Sequence, residues 1–263
     1  GVVSLNRNGT VAALGGWGEG SVRVTGVGLG DNQTVLSGGV SVYRNVNNTW
    51  LQLGNQIDGE AIGDRFGHAV SISADGNTIA VGAEKNDDAG TDAGHVRIYR
   101  LVNEQWIQLG EDIDGLAAGD ESGDRDSVSI SANGNIVAIG SHQQIGATYG
   151  NVRVYQWKND TWTLLGQVLE GDTLDQQFGY SVCINDDGSR LVVGSFGGNK
   201  VESFSFNNGQ WEQTGQDLIM PDSGFGFSVS SSGDGNSIVA SAIMRFSGSA
   251  RTGEVFTYRY TDD

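Results

Sequence analysis

Short stretches of this chain alternate apolar and polar residues with a period of two, and they come in a recurring order. Val70-Ser71-Ile72-Ser73 alternates strictly, Ala74-Asp75-Gly76 interrupts, and Ile79-Ala80-Val81-Gly82 then runs apolar. Val96-Arg97-Ile98-Tyr99 follows, a polar pair at Asn103-Glu104 turns the chain, and a stretch headed by Trp106 closes the unit. A period of two puts successive side chains on opposite faces of a strand, and an unbroken apolar run marks a strand covered on both faces. The pattern predicts four consecutive antiparallel strands and essentially no helix. Asp-Gly or Asn-Gly between such runs signals a hairpin, because these residues tolerate the left-handed backbone of a tight turn. The signal occurs at Asn8-Gly9, Asp75-Gly76, Asn133-Gly134, Asp187-Gly188 and Asp234-Gly235, so five units are expected.

The units are repeats. Trp50, Trp106 and Trp162 recur at intervals of 56 residues, Trp211 follows after 49, and Tyr43, Tyr99 and Tyr155 keep the 56-residue step. A constant period of this size points to a solenoid, propeller or array, and four strands per unit is the make-up of a propeller blade. The expectation is an all-β, single-domain β-propeller of about five four-stranded blades, with repeats near 1–66, 67–122, 123–178, 179–225 and 226–263. The last unit lacks a Trp strand, so it either has three strands or belongs to a longer chain. One Trp per repeat is expected to pack blade against blade.

Composition narrows the function. Asp and Glu number 32 against 15 Lys and Arg, for a net charge of −17. With no basic stripe to offset it, this charge repels phosphate backbones and argues against nucleic-acid binding. No segment approaches the roughly 18 consecutive apolar residues that a membrane-spanning helix needs. Cys183 is the only cysteine, which excludes an intrachain disulfide, and its strand setting predicts a small buried apolar residue. Sequons at Asn8, Asn32, Asn47 and Asn159 fit a glycosylated extracellular or lumenal protein. His68, His95 and His142 share no ligand spacing, so structural or exposed roles are expected. No Gly-x-Ser-x-Gly elbow or phosphate-binding loop occurs, and the glycine-rich stretch from Gly15 to Gly39, with Trp17, reads as a long insertion.

Phe66-Gly67, Phe178-Gly179 and Phe225-Gly226 each precede a strand, an Asp-Gly turn and a glycine-containing apolar strand. These features resemble FG-GAP repeats, the propeller units of integrin α-subunit heads and of many microbial and algal surface proteins. The resemblance runs through nearly the whole chain, and the second unit departs from it by carrying Ser122-Gly123 in place of Phe-Gly. It implies an extracellular or lumenal propeller acting in adhesion or assembly, without catalysis. Calcium-binding members carry Asp-x-Asp/Asn-x-Asp-Gly loops, whereas the turns here read Ser-Ala-Asp-Gly, Ser-Ala-Asn-Gly, Asn-Asp-Asp-Gly and Ser-Gly-Asp-Gly.

In such a blade the loops joining strands two and three, and the blade connections, share one face. That face collects Glu84, Asp87, Asp88 and Asp92 from one loop and Asp64, Asp120, Glu121, Asp124, Asp172 and Asp175 from the connections. Because loops on a rigid scaffold commonly carry function, the face is expected to bind a basic protein partner or a cation, calcium being the candidate. Asn8, Asn47 and Asn159 fall on the opposite face. A carbohydrate-binding propeller is the alternative and predicts exposed Trp or Tyr beside acids; a propeller hydrolase or lyase is a more remote reading.

Overall fold

The structure is a computed structural model that describes residues 1–17, 37–142, 149–247 and 250–260. All regular structure among these residues is β, in five antiparallel sheets taken in chain order. In the first, β1 (Val2–Leu5), β2 (Val11–Gly16), β3 (Gly39–Val46) and β4 (Thr49–Gln52) lie side by side. The two-residue β5 (Ile57–Asp58) then returns to pair with the start of β3. The second sheet repeats this with β6 (Ala69–Ile72), β7 (Thr78–Ala83), β8 (His95–Val102), β9 (Gln105–Gln108) and β10 (Ile113–Asp114). The third has β11 (Val128–Ile130), β12 (Ile136–Ser141), β13 (Asn151–Lys158), β14 (Thr161–Leu164) and β15 (Leu169–Glu170). The fourth has β16 (Phe178–Ile184), β17 (Arg190–Ser195), β18 (Lys200–Asn207), β19 (Gln210–Gln213) and β20 (Leu218–Ile219). The fifth has three strands, β21 (Phe225–Ser231), β22 (Ser237–Ser247) and β23 (Ala250–Arg259). The expected five-bladed propeller is observed. Each of the first four blades adds one short strand to the expected four, because the eight-residue third strand is longer than its four-residue neighbour and its free half needs a partner.

The first strands β1, β6, β11, β16 and β21 line the inner side of the propeller, each touching the next from β1 to β21. Ile72, Ile130 and Ile184 donate their backbone N–H to Ser4, Ser71 and Ser129 Oγ of the preceding blade at 3.2, 3.1 and 3.0 Å. Cys183 takes the serine's place facing the fifth blade, with Sγ 3.4 Å from Ser231 Oγ. It is half-buried, contrary to expectation, because its side chain packs at the edge of the core between the fourth and fifth blades.

The Asp-Gly turns differ in mechanism from the prediction. Only the glycine is left-handed, as at Gly76 (φ 76°), Gly134 (φ 70°) and Gly188 (φ 77°), while the preceding residue works through its side chain. Asp75 Oδ1 accepts from Ser73 Oγ (2.6 Å) and the Asn77 backbone (2.9 Å), and Asn133 makes the same pair with Ser131 and Asn135. Consecutive left-handed residues, the type I′ signature, occur instead in the hairpins between strands three and four: Asn47-Asn48, Asn103-Glu104 and Asn159-Asp160.

These side-chain bonds make the turns acid-sensitive. Burial opposes the charge on Asp75, yet the Ser73 and Asn77 donors outweigh it and hold the carboxyl below its ordinary value. The Ser189 hydroxyl lowers Asp187, and the Ser232 hydroxyl brings Asp234 down to about 2. A carboxyl with a depressed folded pKa stabilises the fold above its unfolded value and loses that contribution as pH falls through the folded value. Asp75→Asn/Asp187→Asn/Asp234→Asn should therefore resemble wild type near neutrality, as Asn133 does naturally. Its stability should depend less on pH between about 4 and 2, read as urea midpoints at each pH.

Blades meet through paired glycines. The strand-two glycines Gly15, Gly82, Gly140 and Gly194 lie so close to Gly67, Gly123, Gly179 and Gly226 of the next blade that an added Cβ would sit 2.0–2.3 Å from their carbonyl oxygens. Phe66, Phe178 and Phe225, each preceding one of these second glycines, are fully buried. Ser122 replaces the phenylalanine between blades two and three, and the fully buried Arg153 reaches it, donating to Ser122 Oγ (3.0 Å), the Asp114 carbonyl (2.7 Å) and Tyr155 Oη (3.1 Å). Three repeat tryptophans anchor backwards: Trp106, Trp162 and Trp211 donate Nε1–H to the carbonyls of Leu53, Leu109 and Leu165 in the preceding blade at 2.8, 2.7 and 2.8 Å.

Candidate functional site

Two repeat positions converge at the loop-side end of the inner ring. One follows the Phe-Gly pair and holds His68, Asp124, Tyr180 and Phe227; the other follows strand two and holds Trp17, Glu84, His142 and Phe196. The glycine contacts draw adjacent blades together beside both positions, so their side chains interleave. Trp17 stacks edge-on with His68 at 4.7 Å between ring centroids, and His68 Nδ1 lies 2.8 Å from Glu84 Oε1 and 2.7 Å from Asp124 Oδ1. Asp124 Oδ2 lies 3.6 Å from His142 Nε2, and the His142 ring packs on Tyr180 at 5.0 Å. Tyr180, Phe196 and Phe227 then form an aromatic trio with centroids 5.0–5.8 Å apart. Half of this rim is ionisable and half aromatic. Trp17, His68, Arg125, Tyr180 and Phe227 line a cavity of about 300 Å³ at its centre.

The ionisable half is buried and tightly coupled. Burial opposes the charge on His68, but the Asp124 and Glu84 carboxylates outweigh it and lift its pKa to about 9, so it is an imidazolium at neutral pH. Burial also disfavours the Asp124 carboxylate, yet the His68 imidazolium against it holds its pKa below the ordinary value. His142 goes the other way: burial dominates over Asp124 and Glu121 and depresses it, keeping the ring neutral. Glu121 Oε1 receives Lys85 Nζ at 2.5 Å, and Glu84 Oε1 receives Arg65 Nη1 at 3.1 Å. A separate group of Glu60, Asp88, His95 and Asp112 gathers further out, where Arg97 donates to Glu60 (2.5 Å) and Asp112 (2.6 Å).

The ten loop-face acids singled out from the sequence divide by burial. Asp87, Asp88, Asp172 and Asp175 are exposed and Asp92 is intermediate, whereas Asp64, Glu84, Asp120, Glu121 and Asp124 are buried. Asp120 Oδ2 accepts the backbone N–H groups of Leu116 (2.7 Å) and Ala117 (3.1 Å), and Asp64 Oδ2 accepts from Asn86 Nδ2 at 3.1 Å. Gln176 takes the corresponding place in the next connection, accepting from the backbone of Asp172 and Thr173. Sequence reasoning missed the histidines, all three of which are buried: His68 and His142 against Glu84, Glu121 and Asp124, and His95 beside Glu60 and Asp112. The available signal was positional, since aligning the repeats on their Phe-Gly and strand-two glycines puts His68 and Asp124 in one column and Glu84 and His142 in another. Asn8, Asn47 and Asn159 are exposed in hairpin turns, and Asn32 lies outside the described residues.

Among known proteins, the FG-GAP repeat family matches residues 57–99. The chain is a β-propeller carrying an FG-GAP repeat. The match runs from β5 through β8, spanning Phe66-Gly67 and the strand-two glycine Gly82, the residues that form the blade contacts. Solved propellers share the architecture of this FG-GAP propeller at low identity. Hydrazine synthase of Kuenenia stuttgartiensis aligns with a TM-score of 0.59 and 15% identity over 99% of this chain and 71% of its own. TolB of Acinetobacter baumannii gives 0.51 and 15% over 96% and 50%. A candidate 6-phosphogluconolactonase of Bacteroides uniformis gives 0.53 and 14% over 83% and 54%. The FG-GAP propeller thus spans about half the length of the last two. No curated protein sequence matches it.

Proposed function

We propose that this propeller is a non-catalytic recognition scaffold, working in an extracellular or lumenal assembly, whose long-loop face binds a basic protein segment. One observation carries the reading: the blade connections present Ile62 (76% exposed), Leu116 (60%) and Leu174 (51%) among the exposed carboxylates of Asp87, Asp88, Asp172 and Asp175. Apolar anchors on a face where acids outnumber bases suit a partner that brings positive charge for steering and an apolar contact for affinity. The sugar-binding alternative draws less support, since Trp106 and Trp211 are buried between blades; Trp17, at the central cavity, is its best remaining platform.

Selection from a displayed random-peptide library, run beside a glycan array, tests the proposal. Enriched peptides should be rich in Lys or Arg with an interspersed apolar residue and bind more weakly as salt rises. They should lose affinity for the Asp87→Asn/Asp88→Asn/Asp172→Asn/Asp175→Asn variant. Glycan binding without enrichment of basic peptides would overturn it.

A further inference from the structure

We infer that Glu121, Asp124 and His142 form a binding site for a divalent transition-metal ion of the zinc class, at the rim between the second and third blades. This goes beyond the recognition role and does not depend on it. His142 carries the argument. Its side chain is 1% exposed, and neither ring nitrogen has a hydrogen-bond partner among the described residues. A buried imidazole ordinarily satisfies its nitrogens, because leaving them unpaired forfeits their hydration. Here Nε2 faces Asp124 Oδ2 at 3.6 Å and Glu121 Oε2 at 3.8 Å. These distances exceed a hydrogen bond. They approach the roughly 3.3–3.6 Å between two ligand atoms of a tetrahedral ion bound at about 2.0–2.2 Å, and the three ligand atoms all lie within 4.8 Å of one another.

The surrounding groups leave one oxygen of each carboxylate available. Lys85 occupies Glu121 Oε1, and His68 lies against Asp124 Oδ1. Outer partners of this kind orient metal ligands in characterised sites. The donors also discriminate among ions: a neutral imidazole nitrogen with two carboxylate oxygens suits zinc-like ions, whereas calcium takes six to eight oxygens. Three protein ligands leave a fourth position for water or a small donor. His68 and Glu84, which meet the other side of Asp124, form an ion pair with one another at 2.8 Å, and Glu84 pairs with Arg65 at 3.1 Å. They are positioning groups.

The test uses the whole chain stripped with chelator and desalted. Zinc titration by calorimetry should show one saturable equivalent, and cobalt should develop the visible absorption of a four-coordinate site. His142→Phe introduces the residue that blade four carries at this position, Phe196, so the fold should accept it; zinc affinity should fall at least about tenfold and the cobalt band should vanish. Glu121→Gln, nearly the same size, should also weaken zinc, while Asp234→Asn, in an exposed hairpin turn away from the rim, should leave zinc affinity unchanged. The inference is overturned by an absence of saturable zinc binding, by His142→Phe and Glu121→Gln both binding as wild type, or by calcium displacing zinc at equal concentration.

Discussion

Replacing Trp106 by alanine is expected to destabilise the protein by about 3–5 kcal/mol, the range for deleting a large buried aromatic side chain. Trp106 is 4% exposed, in the core that joins the first blade to the second. It is held at three points: Nε1–H donates to the Leu53 carbonyl at 2.8 Å, the backbone N–H to Asn55 Oδ1 at 2.8 Å, and the ring covers Gly54 so closely that a Cβ there would lie 2.7 Å from it. Alanine leaves both a cavity and an unpaired carbonyl. Trp106→Phe separates the two effects, since a ring without the donor should cost mainly the lost hydrogen bond, about 1–3 kcal/mol. Trp162, only half-buried, should cost less than Trp106 when truncated. Urea unfolding of the three variants measures this ordering, and a loss below about 1 kcal/mol for Trp106→Ala would rule out the Trp as the blade anchor.

The second large effect is expected at Gly140. Its backbone is not left-handed, so the requirement for glycine there is spatial. An alanine Cβ would stand 2.0 Å from the Gly179 carbonyl oxygen and 2.9 Å from its carbon. Both sides of this contact are backbone, so no side chain can rotate away and the blades must part. Overpacking of this kind costs about 1–3 kcal/mol where surroundings yield and more where they do not, so Gly140→Ala is expected at or above the upper end. Gly209 is the control: nothing lies within 4 Å of its added Cβ, but its φ is 87°. Gly209→Ala should cost only the left-handed strain, about 1–2 kcal/mol. If thermal or urea unfolding gave equal losses at the two positions, blade crowding would not explain the strand-two glycine.

The architecture was legible along the chain because its signals are local. Strand runs such as Ile136-Val137-Ala138-Ile139 carry their period in adjacent residues, and the turn at Asn133-Gly134 announces itself in two. Even so, the Asp-Gly turns work differently from expectation, since the Asp acts as a side-chain acceptor and the paired left-handed residues sit at Asn47-Asn48 and its counterparts. The rim was not legible. Asp87 and Asp120 read alike in sequence as loop acids, yet one is solvated and the other is buried under the backbone it caps. Nor does spacing announce His142 with Glu121 and Asp124, because His142 follows β12 while the two acids lie in the connection leading into β11, and the pairing of those strands brings the two ends together.

By itself, the sequence determined the strands, the hairpins, the number of units and the acidic surface. These follow from residue-level periodicity, from glycine's access to left-handed backbone and from a count of charges. Only the tertiary structure decided which carboxylates keep their water, which histidine loses its partners and which aromatic rings complete the rim. Those outcomes depend on how closely neighbouring sheets approach, and that distance is set by pairs of glycines from successive blades, Gly82 with Gly123 and Gly140 with Gly179.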